Sequence, residues 1–313
     1  MRRTRCLKQG ACGLSFALLE PPVVPAFAGT TREFVVTALS TNNTLQHLTG
    51  PIVLAGAGKM GGAMLAGWLA RGLDPRNVCV IEPHPSGEIS ALAARGIRLN
   101  PSPTDAGTAA TLVVALKPQT FGEAGAGLKP FAGPSTLVVS IMAGTTIASI
   151  SKACGGSVVR AMPNTPAAIG RGITVAVAAK NVSAAQRAVA DSLLRATGSV
   201  EWIDDENLMD AVTAVSGSGP AYVFLLAEEL ARAGVEAGLP PELATKLARE
   251  TVAGSGELLH RSEAPSATLR QNVTSPGGTT AAALEVLMGK DGLQSLLIRA
   301  VAAATRRSRE LAK

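Results

Sequence analysis

Residues 51–61, Pro-Ile-Val-Leu-Ala-Gly-Ala-Gly-Lys-Met-Gly, join an apolar run of strand length to three glycines spaced G-x-G-x-x-G. Met64, Leu65, Trp68 and Leu69 follow at helical spacing. A strand that enters a helix through so tight a turn all but dictates a β-α-β beginning. Gly56 permits the turn, Gly58 lets a ligand come close to the backbone, and Gly61 lets helix and strand touch. The helix N-terminus adds free N–H groups and the positive end of its dipole.

The spacing alone also occurs in turns that bind nothing. Its place between strand and helix makes a dinucleotide pyrophosphate the expected ligand. Val78-Cys79-Val80-Ile81 reads as a second buried strand and ends at Glu82, where a carboxylate can accept from adenosine ribose hydroxyls. The same charge repels a 2′-phosphate, which tilts the expected cofactor from NADPH toward NADH. Pro83, His84 and Pro85 stiffen the following loop, and His84, which could touch a phosphate, reads as having no specific role. Lys117, in Ala115-Leu116-Lys117-Pro118 at the end of another apolar run, reads as a solvated lysine beside backbone contacts to the cofactor.

Further strand-like runs occur at 96–99, 110–116, 137–140, 158–160, 173–178 and 200–203, with helical patterns between most of them. This alternation predicts an α/β fold with a parallel sheet covered on both faces. From Asp204 the pattern turns helical, around 209–215 and after Pro220, Pro240, Ser266, Thr279 and Gly292. A length of 313 residues suits two domains, here 50–203 and an all-α 204–313. Hydrophobic residues at 47% supply a large core, but aromatics at 3% and 33 glycines require it to be built from small side chains.

Residues 1–49 are expected to form a poorly ordered extension, with ordered sequence starting at Pro51. Five basic residues against two acidic ones in the first fifty account for half of the net charge of +6. The balanced remainder, without a Lys/Arg stripe among aromatics, gives nucleic-acid binding little support. Ala26-Phe27-Ala28 looks like a signal-peptidase site, but the apolar patch at Leu14–Leu19 is short and weakly bounded, so export is disfavoured. An Arg-rich organellar presequence and a start assigned too far upstream fit the same residues. No run approaches the ~18 apolar residues of a membrane span. Cys6, Cys12, Cys79 and Cys154 form no CxxC, and none of the three histidines sits at zinc spacing, so reduced thiols, a cytoplasmic location and no metal are expected.

Three more segments have no plain structural reason. Arg160-Ala161-Met162-Pro163-Asn164-Thr165-Pro166 places two prolines after a strand, and Ser216-Gly217-Ser218-Gly219-Pro220-Ala221-Tyr222 leads into a helix. Ser275-Pro276-Gly277-Gly278-Thr279-Thr280 runs into a helix start that suits a carboxylate. Each taken singly reads equally as a cap or turn. Together with the glycine turn and Ala-Leu-Lys-Pro, in this order over about residues 51–310, the chain resembles pyrroline-5-carboxylate reductases.

The resemblance implies a Rossmann-type dinucleotide-binding domain followed by an all-α C-terminal dimerisation domain, assembled as a homodimer or larger homo-oligomer. It implies reduction of (S)-1-pyrroline-5-carboxylate to L-proline by NADPH or NADH. It assigns cofactor contacts to Ala55, Gly56, Ala57, Gly58, Lys59 and Met60, to Ala115, Leu116, Lys117 and Pro118, and to Ile141, Met142, Ala143 and Asn272. The Gly277-Gly278-Thr279-Thr280 turn would hold the substrate carboxylate, with Ser275 nearby, Thr280 at the reacting ring, and Glu206 at a ligand-contacting position. Glu82 departs from the neutral or basic residue of many relatives, which puts NADPH preference in doubt and leaves the reaction unaffected. A β-hydroxyacid dehydrogenase would need a catalytic lysine paired with an asparagine; Lys246 has no such asparagine four residues on. A dinucleotide-sensing protein would have no use for the 275–280 turn.

Overall fold

In the computed structural model, β1 (Ile52–Ala55) is buried along its whole length, as an unbroken apolar strand between two helical layers must be. The structure describes residues 44–48 and 50–311. β1 pairs in parallel with β2 (Val78–Ile81) on one side and β4 (Thr111–Val114) on the other. β3 (Arg98–Leu99) lies outside β2, and β5 (Leu137–Ser140), β6 (Ser157–Met162), β7 (Gly172–Ala178) and β8 (Gly198–Trp202) continue beyond β4. The order is β3-β2-β1-β4-β5-β6-β7-β8, so the chain changes direction across the sheet between β1 and β4. Ligands gather at the carboxyl ends of strands beside such a switch.

Alternate residues of each strand enter opposite cores. Ile52 and Leu54 face α1 (Lys59–Ala70) and α6 (Ala184–Leu194), together with Met64, Leu65, Leu193 and the fully buried Trp68. The Trp68 indole N–H donates to the Leu193 carbonyl at 2.9 Å, so the largest core side chain leaves no polar atom unpaired. Val53 and Ala55 face α4 (Pro118–Leu128) and α5 (Ile147–Cys154), with Phe121, Ile150 and Cys154. Two short helices, α2 (Gly87–Ala91) and α3 (Pro103–Ala106), flank β3.

Two features differ from the sequence expectation. β7 runs antiparallel to β6 in an otherwise parallel sheet. Residues 163–171 between them hold only one 3-10 turn, Thr165–Ile169, too short for the crossover a parallel return needs. The fold also begins before Pro51. Leu45 and Leu48 are buried in the core, Leu45 N–H donates to the Arg71 carbonyl at 2.9 Å, and Asn77 caps the Leu48 carbonyl. Two isolated leucines among polar residues carry no period from which this could be read. The expectations for residues 1–43 lie outside the described residues.

Beyond β8 the chain is helical: α7 (Met209–Val212), a wide π turn (Thr213–Gly217), α8 (Gly219–Glu236), α9 (Pro241–Arg261), α10 (Ser266–Asn272), α11 (Thr279–Leu287) and α12 (Leu293–Leu311). α8 packs on α9 where Gly234 meets Ala244, and α12 returns to α7 through a 2.6 Å bond from the Ser308 hydroxyl to Asp210. Much of this half nonetheless presents apolar surface. Val223, Phe224, Leu225, Leu226 and Leu230 of α8 are all exposed, Phe224 by 67%. Among the described residues no helix is long and apolar enough to cross a membrane.

Candidate active site

The glycine turn lies at the carboxyl edge of β1. Gly56 N–H donates to the Ile81 carbonyl at 2.9 Å and Ala115 N–H to the Ala55 carbonyl at 2.7 Å, tying the turn to β2 and to the end of β4. Gly56 has φ +92°, and a Cβ there would come within 2.6 Å of the Ala115 carbonyl oxygen. A Cβ on Gly61 would overlap the Gly56 carbonyl. Gly58 is different: a Cβ there meets nothing within 4 Å. Its lack of a side chain therefore serves open space and not packing, as the approach of a pyrophosphate requires.

Gly58 is also the N-cap of α1 and offers its first-turn N–H groups no side-chain partner. An open cavity of about 640 Å³ borders this turn, with Ala57, Gly58, Lys59, Ser86, Glu88 and Arg95 in its wall. The structure brings Ala55–Met60, Glu82, Ala115–Pro118 and Ile141–Ala143 to neighbouring strand ends. Lys117 is exposed and forms the N-cap of α4, with Pro118 in the first turn, so it lies past the strand end. Ile141 and Met142 are buried, and Ile141 N–H donates to the Val114 carbonyl at 3.0 Å.

Glu82 reaches back over the glycine turn. Its Oε2 accepts from Ala57 N–H at 2.9 Å and its Oε1 from His84 N–H at 3.1 Å. The Asn100 amide grips the Glu82 backbone on both sides, accepting from its N–H at 2.8 Å and donating to its carbonyl at 2.9 Å. Sequence reasoning passed over Asn100. The available signal was an Asn-Pro pair closing a strand-like run.

Glu206 has a structural engagement of its own. Its Oε1 accepts from Ile147 N–H at 2.8 Å, in the first turn of α5, and from the Arg160 guanidinium at 2.9 Å. Arg160 is almost fully buried in β6, and its Nε–H is without a partner. The carboxylate thus ties β6 and α5 to the start of the helical half. An arginine inside Val-Val-Arg-Ala was the sequence signal, because a buried cation demands a counter-charge.

Two of the other motifs touch where β6 meets the helical half. Met162 presses on Gly217, where a Cβ would come within 2.5 Å of its methyl carbon. Gly217 closes the π turn, and the Tyr222 hydroxyl caps the Ala214 carbonyl at 3.0 Å. Ser275–Gly278 forms a tight turn, Gly278 N–H donating to the Ser275 carbonyl, with Gly277 at φ +68°. Gly278 is the N-cap of α11 and leaves the Thr279 and Thr280 end without a side-chain cap. By contrast α2, α3, α5 and α6 are capped by Ser86, Ser102, Thr146 and Ser183. Asn272 ends α10 and is exposed. Among the described residues, no hydrogen bond or ion pair joins 272–287 to the glycine turn.

Cys79 and Cys154 are buried free thiols. Burial pushes the Cys154 thiol up to about 11 and also raises that of Cys79, against a smaller opposing effect of Arg98. Burial and a raised thiol pKa both count against a nucleophilic role for either.

Comparison with known proteins agrees with both halves. Residues 206–311 match the family model described as pyrroline-5-carboxylate reductase dimerisation, and residues 51–144 match that of NADP oxidoreductase, coenzyme F420-dependent. The chain is 43% identical to the pyrroline-5-carboxylate reductase of Synechocystis sp., over 83% of its own length and 97% of the relative. The corresponding figures for the Pseudomonas aeruginosa enzyme are 39%, 85% and 98%. Among solved structures, a pyrroline-5-carboxylate reductase from Coxiella burnetii superposes with a TM-score of 0.78 at 36% identity, covering 85% of this chain and 99% of that one. The Plasmodium falciparum enzyme with NADP bound gives 0.72 at 31%, with the same coverage. The chain belongs to the pyrroline-5-carboxylate reductase family.

Proposed function

We propose that this protein reduces (S)-1-pyrroline-5-carboxylate to L-proline with NADPH or NADH, the last step of proline biosynthesis. The observation that carries the reading is the pair of uncapped glycine helix starts, Gly58 of α1 and Gly278 of α11. One suits a pyrophosphate and the other a small carboxylate. A reduced dinucleotide at the glycine turn supplies the hydride for the imine carbon.

The Thr279 and Thr280 N–H groups hold the substrate carboxylate and so fix the ring. The Thr280 hydroxyl oxygen accepts from the protonated ring nitrogen, keeping that proton where it makes the adjacent carbon electrophilic. Ser275 sets the turn: a Cβ on Gly278 would lie 2.5 Å from its hydroxyl oxygen. Positioning and exclusion of water then do the work, with effective molarity contributing up to ~7–11 kcal/mol in the best cases. Glu206 positions the segment around Ile141–Ala143 through Ile147 and Arg160, and its contact with the ligand rests on the family resemblance.

Each site is built from the glycine turn of one protomer and the 275–280 turn of its partner in a homodimer or larger homo-oligomer. The exposed apolar surface of α8 supports this, as does the match of 206–311 to a dimerisation family. In this reading 50–203 binds cofactor and 204–313 assembles and binds substrate. The free buried thiols suit a reducing compartment, and we place the protein in the cytoplasm. The test is to incubate the protein with (S)-1-pyrroline-5-carboxylate and either reduced cofactor and to look for L-proline by chromatography. Stoichiometric proline and cofactor oxidation support the reading; neither product with either cofactor refutes it.

A further inference from the structure

We propose that Asn100 is a positioning residue for cofactor choice: by fixing Glu82 over the glycine turn it makes the protein prefer NADH to NADPH. The inference rests on the dinucleotide reading of that turn and adds to it which cofactor is taken and which side chain decides it.

Asn100 follows directly on β3 and is the one non-glycine residue with positive φ, +47°, among the described residues. Asparagine tolerates this left-handed conformation better than most side chains. Its own N–H donates to the Val80 carbonyl at 2.8 Å, the last backbone bond of the β2–β3 ladder. There the main chain turns away and the side chain takes over, pairing with both the N–H and the carbonyl of Glu82. Two residues past Val80, the Glu82 backbone is thereby held as if the strand continued.

The carboxylate is held from the other side. Ala57 is almost fully buried, and its N–H points at Glu82 Oε2. Swinging the side chain out would leave that donor unpaired, a costly state for a buried group. Each carboxylate oxygen keeps a further lone-pair direction after one N–H bond, enough for the two hydroxyls of an adenosine ribose at the turn. A 2′-phosphate at the same position would bring about −1.5 to −2 of charge against an anion that cannot retreat. Lys59, Arg95 and His84 lie in the vicinity, and a phosphate would need them to outweigh Glu82; the first two line the adjoining cavity and all three are exposed.

The experiment is a calorimetric titration of the full-length protein with NAD+ and NADP+, paired with KM and kcat for NADH and NADPH. The variants are Asn100→Gly, Asn100→Asp, Glu82→Gln and the Asn100→Gly/Glu82→Gln double. The wild type should bind NAD+ at least about 10-fold more tightly than NADP+, the scale of a bond to a charged group. Asn100→Gly keeps the left-handed turn but loses both bonds. It should cut the NAD+/NADP+ ratio about as far as Glu82→Gln does, through KM and not kcat. Asn100→Asp, which retains the acceptor for Glu82 N–H, should keep the preference. In the double variant the second change should add nothing, because Asn100 acts through Glu82.

Equal or tighter binding of NADP+ by the wild type would overturn the proposal and assign the 2′-phosphate to Lys59 and Arg95. A ratio altered by Glu82→Gln but untouched by Asn100→Gly would overturn the role of Asn100. Binding of neither dinucleotide would remove the reading of the glycine turn itself, a failure plainly different from the other two.

Discussion

At Thr280 and Gly61 single atoms decide what the site can do. Thr280→Ala removes a hydroxyl bonded to a charged nitrogen and should lower kcat/KM for the imine acid at least ~10-fold, while KM for the reduced cofactor stays put. Thr280→Ser should recover most of the loss; unchanged kinetics in the alanine variant would remove Thr280 from the site. Gly61→Ala acts by volume, since its methyl would overlap the Gly56 carbonyl. Overpacking of this kind costs about 1–3 kcal/mol, so the urea midpoint should fall and dinucleotide binding weaken together. A variant with wild-type midpoint and affinity would show that the helix–strand approach is less tight than described. Cys79 and Cys154, buried and with raised thiol pKa, should remain unmodified by iodoacetamide at pH 8 in the native state, as read by peptide mass spectrometry.

Among the elements, the contact between β6, α5 and the helical half hangs on Arg160 and Glu206. Glu206→Gln leaves the Arg160 cation buried without its counter-charge. A fully buried pair broken in this way loses about 3–5 kcal/mol; with Glu206 31% exposed, about 2 kcal/mol is expected, measured by chemical denaturation. A change under about 0.5 kcal/mol would mean the pair is replaceable by solvent. This level also separates what the sequence discloses from what it hides. The Ile-Val-Leu-Ala strand, the glycine turn and the long helix entered at Pro220 are local patterns, and each lies where periodicity and turn chemistry place it. The reversal of β7 follows from the length of one loop, and the burial of Leu45 and Leu48 from contacts with Trp68 and its neighbours. The partners of Asn100 and Glu206 are equally opaque, because they lie 18 and 46 residues away. The composition of the candidate site is legible because glycines and threonines are its working parts; its assembly depends on tertiary contacts.

For the whole molecule, the exposed apolar surface of α8 is where the proposed assembly is tested. Placing charges in that surface, by Phe224→Glu with Leu226→Glu, should shift sedimentation toward the monomer and remove activity without unfolding the sheet, as followed by circular dichroism. Full activity in a monomer would contradict a shared site.

The most direct test mixes two impaired proteins. Gly58→Asp places a side chain in the open space of the glycine turn, where the free fold has room for it, and Thr280→Ala removes the hydroxyl that faces the imine nitrogen. If hydride donor and imine acid meet between protomers, co-refolding equal amounts should restore about a quarter of wild-type activity, the share of intact sites in randomly paired two-fold dimers. A mixture no more active than the mean of its two components would contradict the shared site.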